Sequence, residues 1–410
     1  MKKIFIMFIC ILNICTISLA DDFIDEELTV EDLEYIKQVS ADVTKEPVID
    51  SRAAVVIDKN SKRILFAKNA NEKQAMASTT KIMTAIITIE HGNLNEMVEV
   101  SEKAGWTGGS RLGLKKGDKV TLRNLLYGLM LCSGNDAAVA IAEHIGGTVD
   151  GFIELMNEKA VSLGLKDTNF VTPHGLDDDN HYTTPYELAL ITEYALNIKE
   201  IKNIVNTQNA IISINGYPKN IKNTNELLGV LNGVNGVKTG FTNNAGRCLV
   251  TSVSRNGFDI ICVVLGADTK KIRTKDSVTL IEYCYQKYEL VDINEKLKRE
   301  FEEWISKSKI NVNKGINNGI KLKVNELQSN IIPISKNDIK DIIVDININT
   351  NLEAPVLIEQ ILGKIDVKVN SEILVSTDVI CLEGVKKKEM SDYFFYMVSN
   401  MKFILENVIT

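Results

Sequence analysis

The chain has 410 residues, of which 45% are apolar and 25% charged, a composition that excludes a disordered or fibrous polymer and leaves room for two folded domains. The net charge of −7 is spread along the chain and makes no basic face, which argues against a nucleic-acid partner and for a peptide or small ligand.

Lys2 and Lys3 precede an apolar run from Ile4 to Ile17, and Ser18-Leu19-Ala20 follows it. A basic start, an apolar middle and a small-residue end read as a signal peptide over residues 1–20, cleaved after Ala20. A retained anchor competes with this reading, but the run is short for a spanning helix. Neither Cys10 nor Cys15 has a lipoprotein cleavage context. The mature chain keeps Cys132, Cys248, Cys262, Cys284 and Cys381, an odd and scattered set that reads as buried thiols rather than a disulfide framework. Residues 21–48 open with Asp21, Asp22, Asp25, Glu26 and Glu27 and read as a solvated acidic lead-in.

Val55-Val56-Ile57 and Ile64-Leu65-Phe66 flank the turn-rich Asp58-Lys59-Asn60-Ser61, which predicts a β-hairpin. Ile82, Ala85, Ile86 and Ile89 then recur at helical spacing, with the hydroxyls of Ser78 to Thr80 as expected caps. Residues 118–205 are mostly helical by period, through Leu125, Leu129 and Leu131 and then Phe152, Met156, Ala160 and Leu163. Cys248–Val253 and Ile260–Leu265 are strand-like runs joined across Asn256-Gly257, a hairpin signal. Strands first, helices in the middle and strands last predict an α+β domain over 49–290, one antiparallel sheet with helical cover.

Residues 291–381 alternate apolar and polar, as in Ile365, Val367 and Val369, and predict a smaller β-rich domain without catalytic residue clusters. In 382–410, Lys386-Lys387-Lys388 is followed by Phe394, Met397, Val398, Met401, Ile404, Leu405 and Val408 on one helical face. Tyr393 to Tyr396 and the basic flank suit an amphipathic helix lying in a membrane surface, because Lys402 and Glu406 would be costly in hydrocarbon. Packing on its own domain is the competing reading.

Ser78-Thr79-Thr80-Lys81 puts a hydroxyl and an amine on one helical face. Serine needs a base to act as a nucleophile, and lysine serves when burial or neighbouring cations lower its pKa. The spacing recurs at Ser306 and Lys309, so alone it decides nothing. Ser133-Gly134-Asn135 offers a hydroxyl that can relay a proton and an amide that can hold a carbonyl; helix capping competes, and Ser213-Ile214-Asn215 repeats the pattern. Lys238-Thr239-Gly240 joins a cation and a hydroxyl to a bare backbone, suited to a carboxylate and to a substrate lying along a strand edge; an exposed strand lysine is the plainer alternative. The ordered triple, on a chain expected to be exported, changes the odds. A Ser-His-Asp triad using His174 and Asp177 to Asp179 lacks a Gly-x-Ser-x-Gly elbow, and a metal site at His174 and His181 lacks ligand spacing, so no cofactor is expected.

Through Ala77–Thr84, Ser133–Ala137, Thr172–Asp177 and Gly236–Thr242, most of the chain resembles the low-molecular-mass penicillin-binding D-Ala-D-Ala carboxypeptidases, the S11 serine peptidases. The resemblance implies a β-lactamase/transpeptidase-like catalytic domain, a β-rich second domain and an amphipathic C-terminal anchor. It implies Ser78 as acyl-ester nucleophile, Lys81 as proton acceptor, Ser133 as proton relay and Lys238 as substrate-binding cation, with Asn135, Thr239 and Gly240 along the peptide. The N–H groups of Ser78 and Phe241 are then the expected oxyanion donors. The implied partners are peptidoglycan stem peptides ending in D-Ala-D-Ala, β-lactams as covalent inhibitors and the outer face of the cytoplasmic membrane. Met76 stands where many relatives have proline, with a small expected effect on loop stiffness. A β-lactamase and a non-catalytic penicillin sensor are the competing functions.

Overall fold

The computed structural model describes residues 45–408, except 318, 328 and 329, together with 29, 31, 32, 34 and 35. The expected signal segment and most of the acidic lead-in lie outside the described residues, and for 402–408 only the backbone is described. The contacts divide the chain into two units, one ending at Cys284 and the other starting at Tyr285.

The first unit is built on five strands, β1 (Ala53–Asp58), β2 (Ile64–Lys68), β3 (Val234–Thr242), β4 (Gly246–Arg255) and β5 (Phe258–Ala267). They form one antiparallel sheet in the order β2-β1-β5-β4-β3. Both expected hairpins are present. Asn256 and Gly257, at φ 52° and 81°, make the two-residue left-handed turn whose twist matches that of β4 and β5. Strand β1 is buried along its whole length because it lies inside the sheet, which accounts for a continuous apolar run in place of alternation.

The helices include α1 (Lys81–His91), α2 (Leu122–Leu131), α3 (Asn135–Gly146), α4 (Val149–Ser162) and α5 (Pro185–Asn197), with a short helix over Lys199–Val205 and a longer one over Lys270–Lys287. Ile82 and Ile86 of α1, Leu125 and Leu129 of α2 and Ile141 of α3 are fully buried in one core, each contributing about 1.5–3 kcal/mol by removal from water. Thr121, Thr148 and Thr184 cap α2, α4 and α5 by accepting backbone N–H bonds. The hydroxyls expected to cap α1 do not. A 3₁₀ turn over Ala77–Thr80 precedes that helix, and Thr79 and Thr80 donate backwards to the carbonyls of Met76 and Ala77 at 2.6 and 2.8 Å. Two hydroxyls are thereby committed to holding the turn, and that of Ser78 is left for other work.

In the second unit the expected alternation is real: Ile365, Val367 and Val369 are buried in the strand Ile361–Val369, within a four-stranded antiparallel sheet. The unit also contains the helix Asn294–Lys307, with Leu297 and Phe301 buried, a four-residue spacing that the period-two reading passed over. Its last helix is Met390–Val408, whose Phe394, Phe395, Met397 and Met401 are exposed. Among the described residues no helix is long and apolar enough to cross a membrane. The five cysteines among the described residues are buried thiols and form no disulfide with one another.

Candidate active site

The turn that carries Ser78 is strained and tightly seated. Ala77 has φ +46°, a left-handed conformation that costs an L-residue roughly 1–2 kcal/mol. It is held by what surrounds it. Gly175 lies so close that a Cβ there would stand 1.9 Å from the Ala77 carbonyl oxygen, and a Cβ on Gly240 would stand 3.0 Å from the Ser78 nitrogen. Glycine in the Lys-Thr-Gly segment of β3 is therefore a packing requirement: the strand backs directly onto the serine turn. Met76 before the turn is fully buried with φ −111°, outside the range of a proline ring.

Lys81, in the first turn of α1, extends its Nζ to three oxygens: Ser78 Oγ at 2.8 Å, Asn135 Oδ1 at 2.7 Å and the His174 carbonyl at 2.7 Å. The two carbonyl-type oxygens can only accept, whereas the serine hydroxyl can also donate. The same geometry therefore serves an ammonium donating to Ser78 and a neutral amine whose lone pair receives the Ser78 proton.

Asn135, first residue of α3, is oriented by its surroundings. Its Nδ2 donates to the Gly108 carbonyl at 2.8 Å, which can only accept, so its oxygen must face Lys81. Asp136 beside it is fully buried and accepts the backbone N–H groups of Leu112, Gly113 and Leu114 at 2.8, 2.7 and 2.9 Å. It thereby fixes the loop that includes Gly108. Ser133 precedes α3 in a left-handed conformation at φ +59°, and its buried Oγ has no hydrogen-bond partner among the described residues.

Lys238 in β3 is 1% exposed, so the exposed-lysine alternative fails, and its Nζ donates to the Thr239 carbonyl at 3.0 Å. Burial pushes the Cys132 thiol up to about 11, and the charge of Lys238 is the largest opposing influence. Thr239 Oγ1 lies 2.7 Å from Thr224 Oγ1, and the Thr224 N–H donates to the Leu131 carbonyl at 3.0 Å. Phe241 packs its ring under the Arg247 guanidinium, 3.7 Å from the ring centre.

The histidines do not make a triad. Ser78 Oγ is bonded by Lys81, and among the described residues neither imidazole bonds that hydroxyl. Burial pushes His174 down to about 3, with Lys81 adding to the shift; burial also pushes His181 down to about 4, so both rings are neutral at pH 7. His174 serves through its main chain, as the carbonyl under Lys81. Asp177, three residues on, accepts from Thr242 Oγ1 at 2.5 Å and fastens this loop to the end of β3. Among the described residues no cluster of three His, Cys, Asp or Glu side chains could hold a metal ion. Thr224 is not singled out by the sequence, where a lone threonine in a polar loop carries no pattern, and Asp136 and Gly175 fall within the quoted motifs without a role of their own, Asp136 reading as an ordinary first-turn acid.

The three motifs thus meet around one turn, and residues 40–269 match the family described as D-alanyl-D-alanine carboxypeptidase. The chain belongs to that family. Residues 285–387 match the C-terminal domain of penicillin-binding protein 5. The D-alanyl-D-alanine carboxypeptidase DacF of Bacillus subtilis is 33% identical over 350 residues, 84% of this chain and 88% of that protein. Among solved structures, penicillin-binding protein 5 from Haemophilus influenzae aligns with a TM-score of 0.70 at 29% identity, covering 84% of this chain and 99% of the other. The Streptomyces K15 DD-transpeptidase aligns with a TM-score of 0.56 at 33% identity, over 59% of this chain and 99% of its own.

Proposed function

We propose that the chain is an exported serine-type D-Ala-D-Ala carboxypeptidase that removes the terminal D-Ala of peptidoglycan pentapeptides through an acyl-enzyme on Ser78. The observation that carries the reading is Lys81: its Nζ is 2.8 Å from Ser78 Oγ, while two oxygens that can only accept engage its N–H groups. A neutral amine held this way presents its lone pair to the serine proton.

In the first step the Ser78 proton passes to Lys81 and Oγ bonds to the carbonyl carbon of the penultimate D-Ala. The oxyanion is received by the N–H groups of Ser78 and Phe241. Ser133, whose buried hydroxyl lacks a partner among the described residues, relays the proton: it gives its own to the departing amine as the C–N bond breaks and takes back the one that Lys81 had received, which returns Lys81 to the neutral amine. Water then cleaves the ester and restores the Ser78 hydroxyl. Lys238 and Thr239 bind the terminal carboxylate, with Gly240 letting the peptide lie along β3, and the second N–H of the Asn135 amide is directed to a substrate carbonyl. A β-lactam offers the same carbonyl in a ring whose leaving group stays tethered, so it acylates Ser78 and persists.

Residues 1–20 direct export, and Met390–Val408, whose Phe394, Phe395, Tyr396, Met397 and Met401 side chains are exposed (Phe395 by 69%), rests the enzyme on the outer face of the cytoplasmic membrane. The test is D-Ala release from a pentapeptide ending in D-Ala-D-Ala by the chain lacking residues 1–20, beside Ser78→Ala. Release lost in the variant, and a penicilloyl mass on Ser78 in the wild type, are expected. Rapid turnover of the penicilloyl ester would indicate a β-lactamase, and neither turnover nor D-Ala release from folded protein would indicate a sensor.

A further inference from the structure

The histidine that failed as a triad member stands in a hydrogen-bond chain that ends at the serine turn. The Val171 N–H donates to His181 Nδ1 at 3.0 Å, so Nδ1 carries the lone pair and Nε2 the proton. Nε2 lies 2.7 Å from Thr80 Oγ1, and the Thr80 hydroxyl donates to the Ala77 carbonyl at 2.8 Å. The direction is forced at both ends, since a backbone amide only donates and a carbonyl only accepts. Every proton in the chain therefore points toward Ala77.

The Ala77 carbonyl and the Ser78 N–H belong to the same peptide plane and point in opposite directions across it. Fixing the oxygen aims the N–H. A hydrogen bond received at that oxygen also polarises the amide and strengthens its N–H as a donor. Ala77 sits in a left-handed conformation at φ +46°, which the peptide keeps only while its surroundings hold it. Thr80 is within the turn itself and cannot anchor it to the rest of the fold alone; His181 lies 101 residues away in sequence, is buried and packs edge-on against Phe170.

We propose that His181 is a positioning residue for acylation, acting through Thr80 on the Ala77 carbonyl so that the Ser78 N–H is held and polarised as an oxyanion donor. The inference rests on the reading of Ser78 as the nucleophile. It concerns a side chain that touches neither substrate nor Ser78.

The experiment is stopped-flow acylation of the signal-free chain by a fluorescent penicillin, separating the dissociation constant of the initial complex from the acylation rate. Thermal unfolding is followed on the same samples. Asparagine places an oxygen near Nδ1 and keeps the Val171 bond but loses the donor to Thr80; glutamine places an N–H near Nε2 and keeps that donor but loses Val171. His181→Asn is expected to acylate roughly tenfold more slowly with an unchanged dissociation constant, and His181→Gln to stay within about threefold of wild type. Thr80→Val, which breaks the chain at its next link, is expected to match His181→Asn and to add little when combined with it.

A merely structural His181 predicts the reverse order, because the Val171 bond is the one that ties the ring to its loop. Acylation by His181→Asn at the wild-type rate, or by His181→Gln as slowly as His181→Asn, would overturn the proposal. Should either variant fail to fold, Thr80→Val against Thr80→Ser gives the same contrast: valine slow and serine near wild type are expected, and equal rates would overturn it. Wild type that forms no adduct at Ser78 would remove the functional reading itself, an outcome separate from any difference among the variants.

Discussion

Replacing Ser133 by alanine should separate stability from catalysis. The Ser133 Oγ is buried, in a residue only 1% exposed, and has no hydrogen-bond partner among the described residues. A buried polar group in that state carries an unreturned desolvation cost of about 1–3 kcal/mol. Alanine removes the hydroxyl and keeps the Cβ and the same left-handed backbone, so the penalty disappears with little loss of packing. The first unit should therefore unfold at a temperature unchanged or raised by about 2–4 °C, the shift that 1 kcal/mol produces in a domain of this size. Over the same change D-Ala release should fall by about 10²- to 10⁴-fold, the usual worth of a positioned proton-transfer group. Calorimetry and a D-Ala release assay on one preparation measure both. A fall of several degrees would mean that the hydroxyl is bonded in the resting enzyme, and full activity would mean that the leaving amine takes its proton elsewhere; either result refutes the reasoning.

Asp136→Ala takes the acceptor from three backbone N–H groups and should cost on the order of 3 kcal/mol in urea unfolding, with acylation slowed because the Gly108 loop orients Asn135. Gly240→Ala should leave the fold intact yet cut acylation by about 10²-fold in a penicillin-binding assay, since its Cβ would meet Ser78 N at 3.0 Å and Ala77 Cβ at 3.1 Å. His181 titrates near 4 in the fold and near 6.5 unfolded; the unfolded chain binds the extra proton, so stability is intact above pH 6.5, falls as pH drops through 6.5 and stops falling below about 4. The loss from this ring at pH 5 is about 2 kcal/mol, and a flatter melting-temperature profile between pH 6.5 and 4 in His181→Gln is the check. Removing residues 390–410 should abolish sedimentation with anionic lipid vesicles while leaving D-Ala release from a soluble peptide unchanged.

How much of this was legible depends on whether a feature has a period or a motif. Four strands of the sheet announced themselves through Val55–Ile57, Ile64–Phe66 and the two runs flanking the Asn256-Gly257 turn, because local chemistry and tertiary role agree there, whereas the Gly-rich Val234–Thr242 strand carries no such run. The helix Asn294–Lys307 was hidden by the alternating texture around it, although Leu297 and Phe301 are spaced as a helix requires. The same division runs through the site. Ser78, Lys81 and Asn135 meet at hydrogen-bond distances that motif spacing could suggest but not supply. What the motifs left unspoken is the second layer: Thr224 on Thr239, Asp136 on the Gly108 loop, and the backbone carbonyl of His174 under Lys81. A carbonyl has no residue type to read, and a threonine or aspartate that holds backbone looks the same in sequence as one that faces water. The capping expectation for Ser78–Thr80 failed for the same physical reason. Whether a hydroxyl turns forward to an N–H or back to a carbonyl depends on the backbone around it, and here Ala77 is left-handed and accommodated by Gly175, some hundred residues downstream, where a Cβ would stand 1.9 Å from the Ala77 oxygen. The environment of Ser78, the proposed nucleophile, is therefore a property of the folded chain: the sequence names the candidate residues, and the left-handed turn seated against distant backbone decides which way their atoms point.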